Sequence, residues 1–228
     1  MNQTLRIQKI DLLLKAAAKV FYVQGFHGTK MIHVAKEAKV SKGVLYFYFT
    51  NKEDLYMALV HDCILKVDNY KELLLNSVKE QNGKDQILVF LEFYFRMIEE
   101  QPEIQNPIIE YIRMSHPSRQ KEFETGLTTG MKESEYFRKI LNIQFKTTYS
   151  LAQVIEKGQK DGSILNNRDS KLIFATIWSM MLGYEQLSVA EKYFQEVSSE
   201  QMPLFHIERK DWQIVINESI QKILNQNT

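Results

Sequence analysis

Cysteine is almost missing from this chain: Cys63 is the only one in 228 residues. No intramolecular disulfide can form, and the composition suits a reducing cytoplasm. Long hydrophobic runs are also missing. The longest near-apolar stretch, Ile87 to Phe95, is broken by Glu92 and is far too short to span a bilayer. Near the N-terminus Asp11 and Lys15 interrupt any apolar core, so no signal peptide is expected. The five histidines (His27, His33, His61, His116, His206) form no i, i+4 pair and no ligand cluster, which argues against a zinc site. His61-Asp62-Cys63 are neighbours in sequence, but on a helix they point to different faces and do not make a nucleophile and its base. Gly126 and Gly130 are not spaced as a phosphate-cradling loop. The expectation is a protein with no catalytic residues, no metal and no cofactor.

What is present is an ordinary soluble composition, 44% hydrophobic and 25% charged, with ample length for buried cores. The net charge of +1 hides an asymmetry. Residues 1–55 hold nine Lys/Arg and four acids, giving +5, while the remaining 173 hold 20 and 24, giving −4. A basic head on a mildly acidic body suits a polyanion partner for the head alone.

Helical periodicity dominates and no segment alternates like a strand, so the fold class is all-α. A first helix is predicted from about Arg6 to Gln24, with Ile10, Leu13, Leu14, Ala17, Val20 and Phe21 on one face and Gly25 as a left-handed stop. A second covers about Met31 to Ala38, and a third follows the N-cap Ser41 through Phe49. Asn51 and Asp54 form a capping pair for a fourth, reaching about Val78. A fifth, about Lys84 to Glu100, is apolar nearly all round. Pro102 and Pro107 punctuate the entry to a short helix over Ile108 to Met114, ended at His116-Pro117. Longer helices are predicted over about Glu133 to Lys160, Arg168 to Tyr193 and Arg209 to Leu224, with a loop over 195–206.

The third helix carries the chemistry. Leu45 and Phe49, four apart, should face inward, which leaves Lys42, Gly43 and Tyr46 on another face with Tyr48 near the end. Gly43 costs roughly 1 kcal/mol against Ala inside a helix, and makes sense where a DNA backbone approaches closely. Tyr hydroxyls and a Lys can donate to phosphates or base edges, and a helix starting at Ser41 favours a phosphate.

The spaced residues Ala18, Phe21, Gly25-Phe26, Thr29, Val34-Ala35, Ala38, Val40-Ser41-Lys42-Gly43, Leu45-Tyr46, Tyr48-Phe49, Asn51-Lys52-Glu53 and Leu55 together resemble the N-terminal domain of TetR-family transcriptional repressors. The resemblance covers about residues 7–60. It implies a helix-turn-helix domain over 1–50 (the motif itself at about 30–49) and a helical ligand-binding and dimerisation domain over 51–228. It further implies a homodimer on a roughly palindromic double-stranded operator, released by a small hydrophobic inducer. DNA contact is thereby expected at Lys30, Met31, Ser41, Lys42, Gly43, Tyr46, Phe47, Tyr48 and Lys52. Three positions depart from the family pattern. Lys39 stands where the turn usually has Gly, Thr29-Lys30 leaves one hydroxyl to open the second helix, and Phe47 is more apolar than usual and suits a thymine methyl.

Past residue 60 the residues describe architecture. Phe90, Phe93, Tyr94, Met97, Tyr111, Met114, Trp178 and Met181 suit an adaptable apolar pocket, or equally a plain core. Ile173, Ile177, Met181 and Tyr184, with Trp212, Ile216, Ile220 and Ile223, form two apolar stripes fit for a four-helix dimer interface. A single chain can instead bury both stripes internally. Two rivals stay open: a helical small-molecule carrier or interaction module without specific DNA binding, and an acyl-CoA-sensing regulator within the same family.

Overall fold

Apolar residues recurring three and four apart fold nearly every segment of this chain into helix. A computed structural model describes residues 3–115, 126–197 and 207–226. Among them lie α1 (Gln3–Gly28), α2 (Met31–Glu37), α3 (Lys42–Tyr48), α4 (Lys52–Ser77), α5 (Gly83–Glu100), α6 (Pro102–Ser115), α7 (Thr129–Glu133), α8 (Glu135–Asp161), α9 (Ser170–Val197) and α10 (Arg209–Asn225), and no strand. The expected break at His116-Pro117 and residues 198–206 of the loop expected over 195–206 fall outside the described residues, while α9 runs past its expected end at Tyr193 to Val197 and so takes in 195–197 as helix.

By packing, the chain divides into two units. Residues 1–69 with 101–144 form the first, and 70–100 with 145–228 the second. The first unit is built round Leu13, Ala17, Val34, Ala35, Leu45, Leu55 and Val60, all fully buried. Each such aliphatic side chain larger than alanine contributes roughly 1.5–3 kcal/mol on removal from water. Phe21, Phe26 and Tyr56 meet as an aromatic trio. The Tyr56 ring lies edge-on to both phenylalanines with centroids 5.1 Å apart. Its hydroxyl donates to the Pro107 carbonyl at 3.4 Å, fixing α4 against α6.

Helix α6 differs from expectation, because it starts at Pro102 and runs through Pro107. Proline at the first helical position loses nothing, since that N–H has no intrahelical partner. Pro107 forfeits one bond, to the carbonyl of the exposed Glu103, and burial of Ile104, Pro107, Ile109 and Tyr111 outweighs the loss. The helix therefore begins at Pro102, ahead of the expected start at Ile108.

In the second unit α5 buries Ile87, Phe90, Leu91, Tyr94, Phe95 and Met97 but exposes Glu92 and Arg96, which pair at 3.3 Å. Asn82 caps α5 by accepting from the Asp85 N–H at 2.9 Å. At Gly83 the α5 backbone presses on α8: a Cβ there would lie 2.1 Å from the Gly158 nitrogen, so only glycine fits. The end of α10 is closed by the chain entering α9, where the N–H groups of Leu165 and Asn166 donate to the Leu224 carbonyl at 3.0 and 3.1 Å.

Candidate nucleic-acid interface

The turn before α3 sets the aim of that helix. Lys39 has φ 53°, the one non-glycine residue with positive φ among the described residues. The Val40 N–H donates to Ala35 O (3.0 Å) and the Lys39 N–H to Lys36 O (3.1 Å). This double bond pattern is the Schellman ending of α2, which calls for a left-handed residue at position 39. Lysine adopts it at a cost of roughly 1–2 kcal/mol. The departure from glycine changes the strain in the turn and leaves its shape intact.

Ser41 then caps α3, its Oγ accepting from the Val44 N–H at 3.2 Å. Leu45 and Phe49 point into the core as the spacing requires. On the opposite side Ser41, Lys42 and Gly43 are exposed, Tyr46 is 43% exposed and Phe47 74%. The Lys42 ammonium lies 5.4 Å from the Tyr46 ring centroid. A Cβ on Gly43 would meet only the Ser41 Oγ, at 3.8 Å. Among the described residues nothing crowds a side chain at that position.

Three more of the expected contact residues are less exposed. Met31 is 7% exposed and packs in the core, because α2 turns that edge inward. Tyr48 is half-buried against the same core, edge-on to Phe47 at 5.2 Å. The Lys52 ammonium donates to the carbonyls of Phe26 (2.9 Å) and His27 (3.4 Å) and sits 4.4 Å from the Phe26 ring centroid. It therefore closes the end of α1 on the first turn of α4. Lys30 is exposed at the N-cap of α2 without a side-chain cap bond. Thr29 does not cap α2 either: its hydroxyl donates back to Gly25 O at 2.7 Å, where φ 65° breaks α1. Lys30, Lys36, Lys39 and Lys42 are all exposed around α2 and α3, so the basic excess of the head surrounds the α3 face.

The expected pocket residues fall into two sets. Phe90, Phe93, Tyr94, Met97, Trp178 and Met181 lie in the second unit, where Tyr94 meets Trp178 edge-on at 5.2 Å and Phe90 lies 6.2 Å from Tyr94. Tyr111 and Met114 belong instead to the core of the first unit. Sequence reasoning missed Glu185, which is fully buried and accepts from the Tyr94 hydroxyl at 2.8 Å. Its signal was its place on the inward stripe, four and seven residues after Met181 and Trp178.

The expected dimer stripe is buried within its own unit. Ile173, Ile177, Met181, Tyr184, Ile216 and Ile220 are buried, and Trp212 and Ile223 half-buried. Periodicity marked the apolar face of these helices correctly, but that face packs on α5 and on its neighbour, as in the edge-on Phe95–Tyr184 and Tyr184–Trp212 pairs. The outward face carries Leu172, Ala175, Thr176, Ser179 and Gly183 on α9, and Ile214 and Val215 on α10. Its hydroxyls are returned to the helix: Thr176 donates to Leu172 O, Ser179 to Ala175 O and Ser219 to Val215 O, at 2.9, 2.7 and 2.8 Å. The face is thus small and largely uncharged from Leu172 to Gly183 on α9, while on α10 Asp211, Glu218 and Lys222 are exposed beside Ile214 and Val215.

Among the described residues there is no cluster of metal-ligating side chains and no helix long and apolar enough to cross a membrane. Residues 13–59 match the model of the family described as bacterial regulatory proteins, tetR family. Over 94 residues the chain is 32% identical to the uncharacterized HTH-type transcriptional regulator YdgC of Bacillus subtilis, covering 40% of this chain and 48% of that protein. Over 170 residues it is 24% identical to the fatty acid metabolism regulator protein of the same organism, covering 72% and 77%. The match thus spans about half the length of the first of these relatives. The fold is similar to that of the transcriptional regulator FadR from Bacillus subtilis, solved in complex with stearoyl-CoA, with a TM-score of 0.60 and 17% identity over 93% of this chain and 96% of that one.

Proposed function

We propose that this chain, whose residues 13–59 match the model of the tetR family of bacterial regulatory proteins, is a helix-turn-helix transcriptional regulator, a repressor that leaves its operator when a small lipophilic effector binds. Residues 1–50 act as the DNA-binding domain and 51–228 as the effector-binding and dimerisation domain. The observation that supports this most is the exposed face of α3, where Lys42, Gly43, Tyr46 and Phe47 stand outward while Leu45 and Phe49 anchor the helix from behind. A rigid helix with a basic, aromatic outer face fits the DNA major groove. Lys42, Gly43 and Phe47 are assigned to base edges. Lys30, Ser41 and Tyr46 are assigned to phosphates. Met31, Tyr48 and Lys52 hold the reading helix in place from within.

The protein acts in the cytoplasm as a homodimer on a palindromic operator, its half-sites one DNA turn or a multiple apart. The small, largely uncharged face of Leu172, Thr176, Ser179, Gly183, Ile214 and Val215 supports the dimer. Helix α4 couples effector to DNA. It contributes residues to both units, and Lys52 in its first turn holds the end of α1. An effector that favours one position of α4 changes the spacing of two recognition helices and shifts the dimer out of register with its half-sites. An acyl-CoA effector is the second reading, favoured by the fatty acid regulator among the relatives and by the stearoyl-CoA bound to the structural neighbour.

The test is footprinting on genomic DNA followed by titration of the recovered fragment at several salt concentrations. Sequence-selective binding whose logarithm falls linearly with log salt is the expected result. Absence of DNA binding overturns the regulator and leaves the carrier or interaction module. Equal affinity with and without saturating effector overturns release.

A further inference from the structure

Glu185 is 0% exposed in the second unit. Its Oε2 accepts from the Tyr94 hydroxyl at 2.8 Å, and its Oε1 has no hydrogen-bond partner among the described residues. Two more buried oxygens of the same unit are also without partners: Ser188 Oγ, one turn further along α9, and Asn217 Oδ1 on α10. Folded proteins rarely leave such groups unbonded, because each costs about 1–3 kcal/mol, and a fully buried carboxylate oxygen without a bond points to a missing partner.

The chemistry of that partner follows from the carboxylate. Once ionised it can only accept, so what is missing at its free oxygen is a donor. Burial pushes the Glu185 carboxyl up to about 7, and the Tyr94 hydroxyl bond only partly opposes it. An anionic ligand would place like charge beside this carboxyl in a medium that screens little. A protonated amine brings up to three N–H donors and the opposite charge. The Tyr94 ring whose hydroxyl bonds Glu185 lies edge-on to Trp178 at 5.2 Å, and Trp178 stacks on Phe174 at 6.0 Å, so the residue that holds the carboxyl belongs to an aromatic cluster. Ring faces favour a cation and accept an apolar body.

We propose that Glu185 is the polar anchor of the effector site, and that the effector is an amphipathic amine, an apolar body bearing a protonated nitrogen, with fatty carboxylates and their anionic esters excluded. The proposal rests on the regulator reading above and narrows its effector to one class. The nitrogen donates to Glu185 Oε1, while Tyr94 holds Oε2 and orients the carboxylate.

The full-length protein is titrated at about pH 8, where the carboxyl is ionised, with 4-phenylbutylamine and with 4-phenylbutyrate, matched in size and opposite in charge. Tryptophan fluorescence and melting temperature report binding. The amine is expected to bind at least about tenfold more tightly than the acid. Glu185→Gln is expected to lose about tenfold or more for the amine, and Tyr94→Phe, which leaves Oε1 in place, to stay within about threefold. Equal or tighter binding of the acid overturns the proposal, as does no binding of either, which would assign a buried water to Oε1. Equal losses in both variants overturn it too. The comparison of the two ligands in the parent decides the matter even if Glu185→Gln misfolds. A gel shift on the parent separates the two readings: no operator binding removes the regulator, whereas intact operator binding without amine selectivity removes only this anchor.

Discussion

Ser134, at the end of α7, donates its hydroxyl to Asp54 Oδ1 at 2.9 Å, and the other oxygen of Asp54 accepts from the Thr50 N–H at 3.2 Å. The Asp54 N–H in turn donates to Asn51 Oδ1 at 2.8 Å. One carboxylate therefore completes the N-terminal cap of α4 and ties α7 to the same turn. Loss of the cap costs about 1 kcal/mol and loss of a hydrogen bond to a charged group about 1.5–3 kcal/mol. Asp54→Ala is expected to lower stability by about 2–3 kcal/mol and Ser134→Ala by about 1 kcal/mol. A urea double-mutant cycle should return a coupling of about 1 kcal/mol. Strict additivity would mean the two residues do not interact in solution.

Gly43 separates stability from function. A Cβ at this position meets only the Ser41 Oγ at 3.8 Å, so Gly43→Ala fits the folded chain. Helix propensity favours it by up to about 1 kcal/mol. Thermal melting should rise or hold, while operator affinity falls because the DNA backbone is kept away. A variant that melts no lower and binds operator as the parent does would remove Gly43 from the interface.

Lys42→Ala tests the same face by charge. Its ammonium lies beside the exposed Tyr46 ring. Loss of one phosphate or base contact should weaken binding and reduce the salt slope by about one. Tyr46→Phe removes one hydroxyl from the same face and is expected to weaken binding without changing the slope. Unchanged affinity in both variants would move the interface elsewhere.

Lys39 holds a left-handed backbone that glycine adopts without strain. Lys39→Gly should stabilise the protein by up to about 1 kcal/mol, the relief of strain being offset in part by the freer unfolded chain. If Lys39 also meets a phosphate, the more stable variant binds operator less tightly and with a shallower salt slope. A loss of stability would mean that the lysine side chain contributes packing that outweighs the strain.

Local signals carried much of this architecture. Leu45 and Phe49 read as core because four-residue spacing puts them on one helix face, and Ser41 and Asn51 read as caps because their side chains suit orphan N–H groups. The α9 and α10 stripes read as apolar faces too. Periodicity alone does not say whether such a face meets its own chain or a second copy, which leaves both options open for Ile173 and Ile177 and gives no signal for the small face of Thr176 and Gly183. The left-handed turn at Gly25 is legible in the glycine itself, but which neighbours it turns inward, Met31 into the core and the Thr29 hydroxyl onto the Gly25 carbonyl, is settled by packing. Glu185 was hidden by its type: a lone acid in an apolar stripe looks like a surface residue until its helix is packed.

That burial has a pH consequence. The Glu185 carboxyl rises from its ordinary 4.5 to about 7 in the folded protein, chiefly through loss of water and against the opposing bond from Tyr94. Between those two values the folded state holds the proton that the unfolded chain has released, so folding binds protons and stability falls as pH rises. The contribution is fully present below about pH 4.5 and lost above about pH 7, a change on the order of 3 kcal/mol at 1.36 kcal/mol per unit. Glu185→Gln cannot titrate and should lack this slope. Urea unfolding of parent and variant at about pH 5 and about pH 8 measures it: the variant is expected to gain on the parent by about 2–3 kcal/mol on going to the higher pH. An equal change in both proteins would mean that water reaches Oε1 and keeps the carboxyl near its ordinary value.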